Sequence, residues 1–328
     1  MSGFRISGLV AATFTPFKAD GTLDLASIPA HCAELARQGV RWAFVCGTTG
    51  EGATMSVAER CAATEAWLAA AAPAGVQVMV HIGAESIADT LALAAHAEAR
   101  RAGGPALAPG AAPVAAISAI APTFNKPAGI DAVVELLARI CVVAPSLPLY
   151  YYHIAIKTGI ALRCDLLLAA AAAAKARLPT FAGIKYSDAD LHIFANCLHY
   201  AGGAYDVLSG KDEQLAGFLA MGGRGAIGST YNYQGREYNA LLAAVARGDA
   251  AEALRLTRIT QAGVDLLLTP ERYGGAGVNI GKALMELRLG GARTGGPRYP
   301  SKPMPDEAKA RLRENATAAG FFSGLQKD

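Results

Sequence analysis

Eight short apolar runs alternate along this 328-residue chain with segments of helical periodicity, and this alternation constrains the fold more than any other feature. Runs of nearly continuous hydrophobicity are typical of strands that are buried on both faces of a parallel sheet. The predicted strands are Leu9–Phe14, Trp42–Cys46, Gln77–Ile82, Val114–Ala121, Leu149–Ile154, Phe181–Tyr186, Tyr205–Leu208 and Ala226–Thr230. The helical patterns between them include Ser56–Ala72, Ser86–Arg101, Asp131–Val143 and Cys164–Arg177.

Eight strand–helix units are the number that closes a (β/α)8 TIM barrel, which is the α/β fold that we predict; a doubly wound open sheet is the alternative. No strand pattern follows Thr230. The segments 235–247, 249–268 and 278–289 have helical periodicity, so we expect a C-terminal helical extension packed on the barrel. The predicted division is a barrel over residues 1–233 and an extension over residues 234–328.

Composition narrows the classes of function. Hydrophobic residues make up 52% of the chain, which allows a large core, and a net charge of +3 is too small to favour a nucleic-acid partner. No apolar run is long enough to span a membrane, and Met1–Ser7 lacks the apolar region of a secretory signal. The six cysteines are scattered without a metal-binding spacing. We therefore expect a cytoplasmic protein with no metal site and with no nucleic-acid or membrane partner.

Catalytic side chains of such a barrel lie at the carboxyl ends of its strands. Lys185 lies near the end of the sixth predicted strand, among apolar residues, where a lysine is costly unless it is paired or has a chemical role. Burial favours the neutral amine that a Schiff base requires. Ser187 shares this face of the strand, and Gly183 would leave room for a substrate. The alternative roles for Lys185 are a structural ion pair and a lysine at a sheet edge whose amine reaches solvent.

Polar residues also end the fifth and second predicted strands. On the fifth strand, Tyr150 and Tyr152 face the same way, and a phenol that faces the barrel near an amine could transfer a proton. In the glycine-containing turn after the second strand, Thr48 and Thr49 could present hydroxyl and amide groups to a small carboxylate.

Three later segments require interpretation. The adjacent carboxylates of Asp212 and Glu213 could accept hydrogen bonds from a polyol, or Asp212 could cap the next helix. The polar segment Gly228–Asn232 ends the eighth strand. The segment Gly277–Ala283 is similar to a phosphate-binding loop, but it lacks the required first glycine spacing and has no Ser or Thr after Lys282. We therefore expect no nucleotide site there.

Taken together, these segments resemble the dihydrodipicolinate synthase / N-acetylneuraminate lyase family of pyruvate-dependent class I aldolases. The resemblance extends from Gly8 to about Arg298. The motifs that carry it are Gly8–Pro16, Gly47–Glu51, Tyr152–Ile154, Gly183–Lys185, Gly210–Glu213 and Gly228–Asn232. Most are weak separately, but their order at the ends of successive strands is specific. The runs Tyr150–Ile154 and Tyr186–Leu191 are similar to the lyase branch in its animal form.

The resemblance implies a barrel enzyme without metal or organic cofactor, usually a homotetramer, that cleaves N-acetylneuraminate into N-acetylmannosamine and pyruvate. Lys185 is implied to form the Schiff base with the small keto-acid substrate, and Tyr152 to mediate proton transfer at the hydroxyl of the cleaved bond. The positions implied to bind substrate are Thr48, Thr49, Ser187, Gly210, Asp212, Glu213 and Ser229.

Three residues depart from the family pattern. Ala155 stands where both branches usually have proline. Lys157 stands where lyases usually have an apolar residue and synthases an arginine that binds a substrate carboxylate, so it could bind a second carboxylate or point to solvent. Phe124 lacks the hydroxyl that synthases use in a proton relay. The alternatives are condensation of pyruvate with aspartate semialdehyde, aldol or dehydratase chemistry on another 2-keto-3-deoxy sugar acid, and a barrel that binds a keto acid without catalysis.

Overall fold

A closed barrel of eight parallel strands, joined in chain order, forms the centre of the computed structural model, which describes residues 3–273, 277–289 and 294–321. The predicted TIM barrel is therefore confirmed, and the open sheet is wrong. The strands are β1 Gly8–Ala12, β2 Trp42–Val45, β3 Gln77–His81, β4 Val114–Ala119, β5 Leu149–His153, β6 Phe181–Tyr186, β7 Asp206–Ser209 and β8 Gly225–Gly228.

Helices surround the barrel and continue beyond it. The helices of the described residues are α1 Ile28–Arg37, α2 Val57–Ala74, α3 Ile87–Ala99, α4 Ile130–Val143, α5 Ala155–Thr158, α6 Cys164–Ala173, α7 Leu191–His199, α8 Leu215–Ala220, α9 Gly235–Ala246, α10 Ala250–Leu268, α11 Gly277–Leu289 and α12 Asp306–Ala318. None of them is long and apolar enough to cross a membrane.

The C-terminal helices pack on the barrel and on one another. Helix α9 contacts β1 and α8, so it completes the outer layer next to β8, and α10, α11 and α12 pack together beyond it. The division after residue 233 stays a prediction. Helix α12 was not predicted; its buried residues Ala308, Leu312 and Ala316 recur every four positions, which is the signal that could have found it.

Local sequence sets where several helices begin. Helix α2 starts with a capping box, because the Ser56 hydroxyl accepts a hydrogen bond from the Glu59 amide at 3.2 Å and the Glu59 carboxylate accepts one from the Ser56 amide at 2.9 Å. Side chains of Ser86, Asp190 and Asp249 accept the equivalent bond at the starts of α3, α7 and α10. These caps satisfy amide groups in the first turns of the helices and so fix where each helix begins.

The barrel interior is a packed core below those strand ends. Its buried side chains include Val10, Ala12, Trp42, Phe44, Met79, Ala116, Tyr150, Tyr152, Leu208 and Ile227. The opposite strand faces pack against the helices in a larger apolar cluster. Because side chains fill the interior, a ligand could bind only at an end of the barrel, and sites in this fold lie at the carboxyl ends of the strands.

Candidate active site

Lys185 and Tyr152 lie side by side, because β5 and β6 pair these two residues in register. The Lys185 Nζ atom lies 4.0 Å from the centre of the Tyr152 ring and 4.5 Å from that of Phe44. Only 4% of Lys185 and 3% of Tyr152 is exposed. Among the described residues, other lysines form ion pairs and Lys185 does not. The structural ion pair considered for Lys185 is therefore wrong. A buried amine that forms no ion pair with a carboxylate of the described residues is a candidate nucleophile.

The turn after β2 brings a third predicted residue to this pair. The Tyr152 hydroxyl lies 3.3 Å from the Thr48 Oγ1 atom, and either oxygen can be the donor. The turn is closed by a hydrogen bond from the Glu51 amide to the Thr48 carbonyl at 3.1 Å. Thr49 follows, partly exposed, at the same strand end. Lys185, Tyr152 and Thr48, which come from three different strands, therefore converge at the mouth of the barrel.

Gly183 has a different role from the one expected. A Cβ atom at this position would lie 1.7 Å from the carbonyl oxygen of Asp206 on β7. The interpretation that the glycine leaves room for a substrate is therefore wrong. The glycine is required because the two strand backbones approach closely, which excludes any side chain.

Ser187 presents a buried hydroxyl next to the barrel mouth. Its amide donates to the His153 carbonyl at 2.9 Å, which fixes the backbone just after β6. The Ser187 Oγ atom is buried and has no hydrogen-bond partner among the described residues. A Cβ atom on Gly210 would lie 1.8 Å from this oxygen, so the Ser187 side chain packs directly against the glycine and a larger residue there would displace it. A buried hydroxyl without a partner is suited to bind a polar group of a ligand.

Asp212 joins the loops that follow β7 and β8. Its Oδ2 atom accepts hydrogen bonds from the Thr230 amide at 3.0 Å and the Thr230 hydroxyl at 2.7 Å. Desolvation raises the pKa of Asp212, and these two bonds and the charge of Lys185 oppose that rise. The alternative that Asp212 caps the next helix is wrong, because neither the turn Asp212–Gln214 nor α8 begins with a side-chain cap. Glu213 pairs with Lys211 at 2.7 Å, and Ser229, partly exposed, precedes Thr230.

His81, at the end of β3, is a site residue that the sequence reasoning missed. Its ring meets the Tyr152 ring edge-on at 5.7 Å, and the Arg60 guanidinium donates to its carbonyl oxygen at 2.6 Å. Burial, together with the charges of Arg60 and Lys185, holds the pKa of His81 well below its usual range. The imidazole is therefore neutral, and its ring packs against that of Tyr152. The position of His81 at the end of a strand was the signal in the sequence that could have identified it.

Other predicted residues lie outside this group. The Tyr150 hydroxyl donates to Asp206 at 2.7 Å, which gives this phenol a structural role. Lys157 is exposed on the short helix α5, and Phe124 is 89% exposed on the loop after β4. In the part of the chain that the structure describes, no group of three or more His, Cys, Asp or Glu residues is placed to hold a metal ion.

The chain is similar to known proteins over nearly its full length. The model of the dihydrodipicolinate synthetase family matches residues 5–319. The N-acetylneuraminate lyase of Sus scrofa is 38% identical over 317 residues, which cover 94% of this chain and 92% of that protein. The solved N-acetylneuraminate lyase of Proteus mirabilis superposes with a TM-score of 0.86 at 36% identity, covering 97% of this chain and 100% of that one. That of Aliivibrio salmonicida has the same TM-score at 35% identity, covering 97% and 98%.

These likenesses cover almost the whole chain, so they include every strand end that contributes to the mouth of the barrel. The resemblance inferred from the order of the strand-end motifs is confirmed. With its lysine on β6 and its tyrosine on β5, the chain belongs to the dihydrodipicolinate synthetase family.

Proposed function

We propose that this protein is a Schiff-base aldolase, a carbon–carbon lyase that cleaves N-acetylneuraminate into N-acetylmannosamine and pyruvate. The observation that carries the proposal is the buried Lys185 amine 4.0 Å from the centre of the Tyr152 ring, at the open end of a closed barrel. The names of the curated relatives support the choice of substrate, because relatives with the same name cover more than nine-tenths of this chain.

The chemistry follows from these groups. The Lys185 amine attacks the ketone of the open-chain sugar acid, and loss of water gives an imine. The protonated imine accepts the electron pair of the bond between the α and β carbons, so cleavage leaves an enamine instead of a bare carbanion. Tyr152 relays the proton of the β-hydroxyl: its oxygen accepts that proton as the aldehyde forms while its own proton passes to the substrate carboxylate, which returns a proton when the enamine is protonated. Protonation of the enamine and hydrolysis of the imine release pyruvate and regenerate the amine, so no cofactor is required.

The remaining predicted residues divide into two binding regions. Thr48 and Thr49 bind the carboxylate of the keto acid through hydroxyl and amide groups of the turn after β2. The residues that hold the sugar chain are Ser187, Gly210, Asp212, Glu213 and Ser229. The unpartnered Ser187 hydroxyl supports this division, because it offers a hydrogen bond without giving up an internal one.

The condensation of pyruvate with aspartate semialdehyde is the weaker alternative. That reaction needs a group to bind the second carboxylate, and the candidate Lys157 has an exposed side chain on α5. Phe124 supplies no hydroxyl for a proton relay. Both observations favour the lyase.

We also propose a cytoplasmic homotetramer. Support for an assembly comes from Phe124 and Ile156, two large apolar side chains that are 89% and 86% exposed. The segments that carry them approach each other, since a Cβ atom on Gly159 would lie 2.6 Å from the Lys126 Nζ atom. Large apolar side chains exposed on neighbouring segments are typical of interfaces between protein chains. The six free cysteines, five of them buried, are compatible with a reducing compartment.

The proposal is tested by measuring pyruvate release from N-acetylneuraminate, with the variant Lys185→Ala beside the parent protein. We expect release that disappears in the variant but persists in Lys175→Ala, which changes an exposed lysine. Borohydride reduction in the presence of pyruvate should attach one covalent adduct to the parent protein and none to Lys185→Ala. Normal turnover by Lys185→Ala would refute the proposed mechanism. Absence of release with intact trapping would retain the aldolase and reject this sugar.

A further inference from the structure

A buried ion pair connects the C-terminal helices to the turn that carries Thr48. The Nζ atom of Lys282, on α11, lies 2.7 Å from the Oε1 atom of Glu51, and the two side chains are 2% and 6% exposed. The other carboxylate oxygen of Glu51 accepts a hydrogen bond from the Arg298 amide at 2.8 Å. Both oxygens of Glu51 are therefore held by the C-terminal segment, from outside the barrel.

Glu51 has an unusual backbone conformation. Its φ of 54° and ψ of 31° lie in the left-handed region, which residues other than glycine seldom adopt. In this conformation its amide donates to the Thr48 carbonyl and its carbonyl accepts from the Thr54 amide at 2.9 Å. The strained residue thus closes the turn, and such strain persists only where surrounding contacts hold it.

Contacts other than the one with the Glu51 carboxylate also hold Lys282 in place. Its amine also donates to the Gly296 carbonyl at 3.0 Å and lies 4.7 Å from the centre of the Phe17 ring. Burial lowers the pKa of Lys282, and the nearby Glu51 opposes that change. Burying two charges is costly, so a pair of this kind is better explained by the geometry it imposes than by stability.

We propose that Lys282 and Glu51 are positioning residues for the keto-acid carboxylate, acting through the conformation of the turn at Thr48 and Thr49. The inference rests on the proposed function, because it concerns the same binding step. Neither residue contacts Lys185 or Tyr152. Loss of the pair should therefore weaken the binding of pyruvate and leave the chemistry of the bound keto acid nearly unchanged. This proposal also assigns a role to Lys282 in Gly277–Ala283, the segment that is similar to a phosphate-binding loop.

The test measures the rate of borohydride trapping over a range of pyruvate concentrations. The variants are Lys282→Met and the double variant Glu51→Gln/Lys282→Met, which leaves no unpaired buried charge and is informative if the single variant does not fold. The matched control is Lys175→Met, at an exposed position. Circular dichroism and thermal melting establish which proteins are folded at the assay temperature.

We expect the half-saturating pyruvate concentration to rise about tenfold in the folded variants, while the trapping rate at saturation stays within about twofold of the parent. The inference would be overturned if the half-saturating pyruvate concentration stayed unchanged in either folded variant, whether or not the trapping rate at saturation fell. A parent protein that forms no pyruvate adduct would instead refute the proposed function, so the two failures are distinguishable.

Discussion

The side chain of Lys185 lies across the ring of Tyr152, with its Nζ atom 4.0 Å from the ring centre. The two residues are neighbours in register on β6 and β5, so backbone hydrogen bonding between strands fixes their separation. The Tyr152 hydroxyl extends further, to 3.3 Å from the Thr48 Oγ1 atom. The amine and the phenol can therefore act on adjacent atoms of one small substrate.

Tyr152→Phe separates proton transfer from imine formation. The change removes only the hydroxyl, so the ring contact with Lys185 should remain. We expect cleavage of N-acetylneuraminate to slow by about 10²–10⁴-fold, the range of a lost general acid–base group, with borohydride trapping of pyruvate retained. Tyr151→Phe, on the outer face of the same strand, is the control and should cleave normally. Equal loss of trapping and cleavage in Tyr152→Phe would contradict this role.

Ser187→Ala tests the sugar-binding region. Since the Ser187 hydroxyl has no partner within the described residues, its removal costs no internal hydrogen bond and should leave thermal stability unchanged. We expect the KM for N-acetylneuraminate to rise about tenfold, the value of one lost hydrogen bond to substrate. The half-saturating pyruvate concentration should stay the same. Ser146→Ala, at an exposed position, serves as the control. A KM equal to that of the parent would show that Ser187 does not contact the sugar.

Glu59 links the pH dependence of stability to the C-terminal segment. Hydrogen bonding from the Arg298 guanidinium lowers the pKa of Glu59 to about 2 from the usual 4.5. A lowered folded-state pKa stabilises the fold above pH 4.5, and this contribution is lost as the pH falls toward 2. Glu59→Gln keeps the capping geometry of α2 but removes the charge.

We therefore expect Glu59→Gln to be less stable than the parent by about 1 kcal/mol at pH 7, with the difference shrinking in acid. Urea unfolding at several pH values measures this difference in the free energy of unfolding. Glu271→Gln, at an exposed position, is the control and should follow the parent at every pH. A difference that stays constant from neutral to acid pH would exclude the charge as its cause.

Phe124→Ser tests the proposed assembly. Burial of this 89% exposed ring against another copy would contribute about 2 kcal/mol per site. We expect the variant to dissociate at a protein concentration at which the parent stays assembled, as measured by analytical ultracentrifugation. Val142→Ser changes another exposed apolar side chain, on α4, and should leave the assembly intact. If both variants sediment like the parent, Phe124 is not at the interface.

Patterns that are local in the sequence predicted the barrel and the centre of the site. Continuous apolar runs mark buried parallel strands, and the two-residue period of a strand placed Tyr152 on the inner face, as the structure has it. Lys185 stood out because a charged residue in an apolar strand requires an explanation. The motifs at successive strand ends identified the family, because the barrel brings those ends together in chain order.

The tertiary structure decided which partners the polar groups have. The bonds of Asp212 to Thr230, the approach of Asp206 to Gly183 and the pairing of Lys282 with Glu51 all join residues that are distant in the sequence. No local period encodes such contacts, because they depend on how the closed barrel and the C-terminal helices bring separate loops within a few ångströms. The sequence by itself determined the fold and pointed to Lys185, and the packing of the whole chain determined how the surrounding groups are held.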